Sequence, residues 1–200
     1  MKKSAVLFTG SLLVGAFAVY TPLASAAQTN AVVNYSAGTV VFDPAATLPK
    51  DLNFGSHEIQ SKTDETWTAT SDGAQASPAT TGSVSVSDNR GGNAQGWNIK
   101  LVQTTQFTAG SNTLTGAALS ITAGAITNNV GNPPVGPNIT NTVKQLTVGT
   151  TENVMTANAS EGAGETSLAL QKFTLFVPKD HSKKAANYQT TLNWTFSSTP

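Results

Sequence analysis

The stretch Tyr188-Gln-Thr-Thr-Leu-Asn-Trp-Thr-Phe-Ser-Ser-Thr-Pro200 decides the fold. At a period of two, Tyr188, Thr190, Leu192, Trp194 and Phe196 share one side, and Gln189, Thr191, Asn193, Thr195 and Ser197 the other. Successive side chains of an extended chain point to opposite faces, so the pattern is that of a half-buried β-strand with its large apolar groups inward. A helix would need apolar recurrence at three and four residues, and the β-branched threonines disfavour it further. Gly96-Trp-Asn-Ile-Lys-Leu-Val102 repeats the layout, with Trp97, Ile99 and Leu101 on one face. Two such strands, far apart in sequence, are expected to form the paired frame of one β domain.

The composition is compatible with that reading. Of 200 residues 38% are hydrophobic, enough for the core of one medium domain. Only 11% are charged, against ~25% in ordinary soluble proteins, and Thr, Ser, Asn, Gly and Ala supply the rest of the surface. Eleven basic residues balance eleven acidic ones, with no basic stripe, so nucleic acid is not an expected partner. There is no cysteine, which excludes disulfides and thiolate metal sites.

Residues 1–26 read as an export signal. Lys2 and Lys3 form a positive start, residues 5–20 an apolar run, and Ala24-Ser25-Ala26 a small-x-small cleavage site. The mature chain is then 27–200, with nine basic against eleven acidic residues.

Along that chain, Val32, Val33 and Tyr35, then Val40, Val41 and Phe42, predict two short strands around a turn at Ala37-Gly38. Short strands are also expected at 52–55, 66–70, 83–88, 114–126, 146–148 and 154–157. Leu168, Leu170, Phe173, Leu175 and Val177 mark a stronger one that stops at Pro178. The turn-rich run after Asp88 predicts a hairpin between 83–88 and the Trp97 strand, and 179–187 predicts a second between 168–177 and the final strand. Residues 128–141 hold Pro133, Pro134 and Pro137 and read as a loop. About ten short strands and no helical periodicity predict an all-β, antiparallel β-sandwich of one domain.

Little in the chain suggests catalysis. His57 and His181 lie in predicted loops, there is no His-Glu-x-x-His or Gly-x-Ser-x-Gly, and no carboxylate pair stands in a desolvating aromatic setting. No Asp-x-Asp-x-Asp calcium spacing and no phosphate cradle occurs, so neither a metal nor a cofactor is expected. Arg90, the only arginine, has two readings: a structural fork on Asp88 or loop carbonyls, or direct contact with a ligand.

The two tryptophan strands resemble the WxL-domain proteins of low-GC Gram-positive bacteria. Tyr188, Leu192, Trp194, Phe196 and Pro200 match the family's C-terminal frame, and Asp88-Asn-Arg90-Gly91 before Gly96-Trp97 matches its proximal turn and motif. Leu52-Asn-Phe54-Gly55 is similar to its Phe-Gly strand and Phe176-Val177-Pro178 to its penultimate strand, so the clearest match covers 48–200. Ile99 and Phe196 stand where the family has leucine. Both are large and apolar, so the departures bear on ligand preference and not on the fold.

The resemblance implies a secreted, non-catalytic protein held non-covalently on the cell wall, with peptidoglycan as ligand. It also implies membrane-anchored, WxL-interacting surface proteins as neighbours. An export signal without a recognisable sorting motif, lipobox or C-terminal membrane span fits retention by binding. The motif residues Trp97, Asn98, Ile99, Trp194, Thr195 and Phe196 are candidates either for ligand contact or for the core. The in-phase apolar neighbours of both tryptophans favour the core. The competing function is an interaction protein whose main contact is a membrane-anchored partner or a host extracellular protein, reached through an uncharged, Thr-rich sheet edge.

Overall fold

Period-two alternation becomes eleven strands in the computed structural model, which describes residues 30–43, 47–91 and 95–199. The predicted export signal lies outside the described residues. The chain divides into two compact units, Met1–Tyr35 and Ser36–Pro200, and all the strands belong to the second. Of the first unit only 30–35 are described, and they form no strand.

The strands are β1 (Val40–Phe42), β2 (Glu65–Thr68), β3 (Gly82–Asp88), β4 (Trp97–Gln103), β5 (Thr108–Ala109), β6 (Asn112–Thr113), β7 (Ala118–Asn128), β8 (Thr142–Gln145), β9 (Thr151–Ala157), β10 (Gly164–Val177) and β11 (Leu192–Ser197). A six-stranded sheet runs β1-β3-β10-β7-β8, with β2 joining β10 beyond the end of β3. A three-stranded sheet runs β11-β4-β9, and β5-β6 is a separate small hairpin. Every pairing is antiparallel.

The core is the apolar layer drawn from both sheets. Val84, Val86, Leu119, Ile121, Leu168, Leu170 and Phe173 come from the larger sheet, and Trp97, Ile99, Leu101 and Met155 from the smaller. β10 carries a phase change that its sequence already contains. Its inward residues are even-numbered through Leu170 and odd-numbered from Phe173 to Val177, with Gln171 and Lys172 both exposed between them. Pairing with β7 slips on each side of Leu170 at this point, so a bulge lets one long strand keep both apolar runs in the core.

The all-β antiparallel fold matches the expectation, but several details do not. Neither predicted hairpin forms: β3 and β10 lie in the large sheet, whereas β4 and β11 lie in the small one. Alternation fixes which side chains point inward, and two strands facing each other across a core show the same alternation as two paired strands. The two tryptophan strands do pair with each other, as their shared pattern predicted, Trp194 opposite Leu101 and Phe196 opposite Ile99. Only β1 forms in the 31–42 region, 52–55 supplies just a bridge from Asn53 to Thr70, and 146–148 is replaced by β8 a few residues earlier. The β5-β6 hairpin, turning at Gly110 with φ of 61°, is too short for a periodic signal.

Candidate functional site

Two features compete as the site: the motif around the paired tryptophan strands, and a groove beside them. The motif is built on a single arginine. Asp88 ends β3 with its carboxylate buried, and Arg90 returns onto it from the following turn. Arg90 Nε donates to Asp88 Oδ1 at 3.0 Å and Nη2 to Oδ2 at 2.8 Å, while the Arg90 backbone N–H also reaches Oδ1 at 3.1 Å. The same guanidinium donates to the Gly96 carbonyl at 2.8 Å and to the Ser198 carbonyl at 3.1 Å. One side chain therefore ties the end of β3 to the start of β4 and to the end of β11. The planar fork with its five donors suits this task; a lysine would offer one point charge.

Burial pushes the Asp88 carboxyl up, but the Arg90 side-chain hydrogen bond, the Arg90 backbone N–H and the adjacent positive charge outweigh it and hold Asp88 below the usual carboxylate range. The hydrogen bond to Asp88 holds Arg90 above its ordinary value.

Each residue singled out in the sequence has a definite place. Trp97 and Ile99 are fully buried, and Asn98 is buried with its amide donating to the Thr199 carbonyl at 3.2 Å. The Trp97 ring packs so closely on Gly162 that a Cβ there would lie 2.8 Å from it, and Gly162 also has a φ of 68°. The buried Trp97 Nε1 has no hydrogen-bond partner among the described residues, so the volume of the ring outweighs its polar atom at this position. On β11, Trp194 and Phe196 are half-buried and Thr195 faces solvent. Phe196 stacks on Phe42 of β1, ring centres 6.0 Å apart.

The groove, of about 1860 Å³, opens beside Leu192 and Trp194 of β11. Its apolar floor includes Trp67 of β2 and Phe173, Leu175 and Val177 of β10. Residues 48–59 and 183–191 form its rims, which carry Lys50, Asp51 and Glu58 on one side and Lys183 and Lys184 on the other, and Glu65 of β2 also lines it. His57 lies flat on Trp67, ring centres 3.4 Å apart and planes 6° from parallel, with Nε2 2.7 Å from the Phe54 carbonyl oxygen. Lys183 Nζ donates to the Gln60 carbonyl at 3.1 Å, and the Lys184 N–H to the Tyr188 hydroxyl at 3.1 Å, so the rims are held by named bonds. Gly55 turns with a φ of 92° against the backbone of Gly73, a conformation and a closeness that only glycine tolerates.

The chain matches a family model described as "WxL domain surface cell wall-binding" over residues 25–200. It belongs to the WxL domain family. No curated protein and no solved structure matches it. The chain is thus a cell-surface, cell-wall-binding protein of a family defined by binding and not by catalysis. In this WxL domain the Asp-x-Arg-Gly turn and the two tryptophan strands form one connected assembly. Sequence reasoning did not find the groove, because its rims come from loops more than a hundred positions apart. Phe54-Gly55 and the Lys183-Lys184 pair were the local signals available.

Proposed function

We propose that this WxL domain is a secreted, non-catalytic module that holds itself on the Gram-positive wall by binding peptidoglycan in the groove over Trp67. Residues 1–26 act as its export signal, and 27–200 are the mature protein. The observation that carries the reading is the groove's lining, an apolar floor between rims of both charges. Peptidoglycan combines sugar rings with short peptides bearing amines and carboxylates, so such a lining offers it apolar contact and paired charges together. A polyanionic wall polymer would call for a basic field, and the balanced charge of this chain provides none. Trp97, Asn98 and Ile99 serve the scaffold, and Asp88 with Arg90 positions it. Trp194 contributes its half-exposed side to the groove.

The test is cosedimentation of the mature chain with wall stripped of protein and teichoic acid. Saturable binding is expected. A folded chain that stays in the supernatant would overturn the reading. It would favour the alternative, a surface protein whose main contact is a membrane-anchored partner or a host extracellular protein. That alternative draws on one feature, the uncharged outer edge of β11.

A further inference from the structure

A sheet edge exposes N–H and C=O groups that can pair with another strand, and proteins usually blunt such edges. Four of the outer strands here are blunted. β1 has three residues, and β2 has four and begins with Glu65. β8 has four and carries Lys144, paired with Glu152 at 2.7 Å. At the outer edge of β9, the Ile139 N–H already donates to the Val154 carbonyl at 3.0 Å.

β11 differs from all of them. It runs six residues in unbroken register with β4, and no charged residue follows Lys184 in the chain. Among the described residues no other strand pairs with it. The Thr104 N–H donates to the Thr191 carbonyl at 3.0 Å, which sets the phase of the ladder. Backbone groups of an antiparallel strand alternate sides, so Asn193 and Thr195 bond to β4, and Leu192, Trp194 and Phe196 point their N–H and C=O outward.

We propose that two copies of this chain pair antiparallel through this edge, on a two-fold axis at Trp194. Leu192 then faces Phe196 of the second copy, and the two Trp194 backbones face each other. Each of these facing pairs forms two hydrogen bonds. On the solvent side Asn193 meets Thr195 of the second copy, twice by symmetry, and two small polar groups there can bond across the seam. The edge is self-complementary at this register and neutral, so pairing meets no like-charge opposition. Closure on a two-fold uses both edges and stops at two. The two three-stranded sheets become one of six strands. Where each copy binds wall, the pair binds at two points, which strengthens non-covalent retention with no new contact.

Sedimentation equilibrium of the mature chain, without wall, tests this. The paired variants Asn193→Glu/Thr195→Glu and Asn193→Lys/Thr195→Glu share the same change at position 195, where Lys100 of β4 lies opposite within the chain. They differ only in whether the side chain at position 193 repels or attracts the carboxylate introduced at position 195 of the second copy. Both positions are solvent-exposed, so both variants should fold, which circular dichroism melts check. The Glu/Glu variant is expected to dimerise about tenfold more weakly than wild type, and the Lys/Glu variant to recover most of that loss. A wild-type chain that stays monomeric up to hundreds of micromolar overturns the proposal. So does a dimer with the same constant in all three proteins. Wall binding is read separately, so a monomer that binds wall refutes the pairing alone.

Discussion

β4 and β11 carry the same Trp-x-apolar pattern and lie side by side, yet they stand in different physical situations. β4 is the central strand of its sheet, and Trp97, Ile99 and Leu101 are sealed between the layers. β11 is an edge strand, and Leu192, Trp194 and Phe196 keep part of their surface exposed. A repeated motif therefore need not mean a repeated role. The central copy holds the layers together, and the edge copy also borders the groove and leaves an open ladder.

The largest expected effect is on the central copy. Trp97→Ala should cost about 3–5 kcal/mol in urea unfolding, because it empties a fully buried site against Gly162. Arg90→Ala should follow at about 3 kcal/mol, since it leaves the buried Asp88 carboxylate without its partner and frees the Gly96 and Ser198 carbonyls. Trp194→Ala should cost less, about 1–2 kcal/mol, because the half-buried ring loses less contact. Equal losses for the two tryptophans would erase the distinction between the strands.

The pH dependence sharpens the same comparison. The Asp88 pKa is lower in the folded chain than in the unfolded one, so its contribution is complete above the unfolded value near ~4. It is lost as the pH falls through the folded value. Unfolding midpoints measured from pH 7 to pH 2 should show this loss in the wild type. In Arg90→Ala the guanidinium's hydrogen bonds and charge are gone while the backbone N–H of residue 90 remains, so the folded and unfolded Asp88 pKa values should lie closer together and the acid-dependent loss from Asp88 should shrink.

The fold was largely written in the alternation. The two tryptophan strands, the long β10 and its change of phase are visible as spacings of two that shift by one. The assignment of strands to sheets was not visible, because a crossover and a hairpin leave the same turn-rich run between two alternating segments. The run from Asp88 to Trp97 illustrates this: it reads as a hairpin loop, and it carries the chain from one sheet to the other. Arg90 was noticeable as a single fork beside Asp88, but its bond to Ser198 depends on the C-terminal end folding back across more than a hundred residues. The groove was the least legible feature. Its rims lack periodicity, and its floor comes from residues whose sequence signal is simply that of a core.

The central claim is that the motif tryptophans build the scaffold and the groove binds the wall. Its most direct test is binding to protein-free peptidoglycan by two single variants, Trp97→Phe and Trp67→Ala, each shown to be folded by circular dichroism. Trp97→Phe keeps an aromatic ring in the core and removes an unpartnered buried N–H, so a folded population should remain. It should bind within about twofold of wild type, whereas Trp67→Ala should bind at least about tenfold more weakly. Weak binding by a folded Trp97→Phe, with Trp67→Ala unaffected, would contradict the account and place recognition in the motif itself.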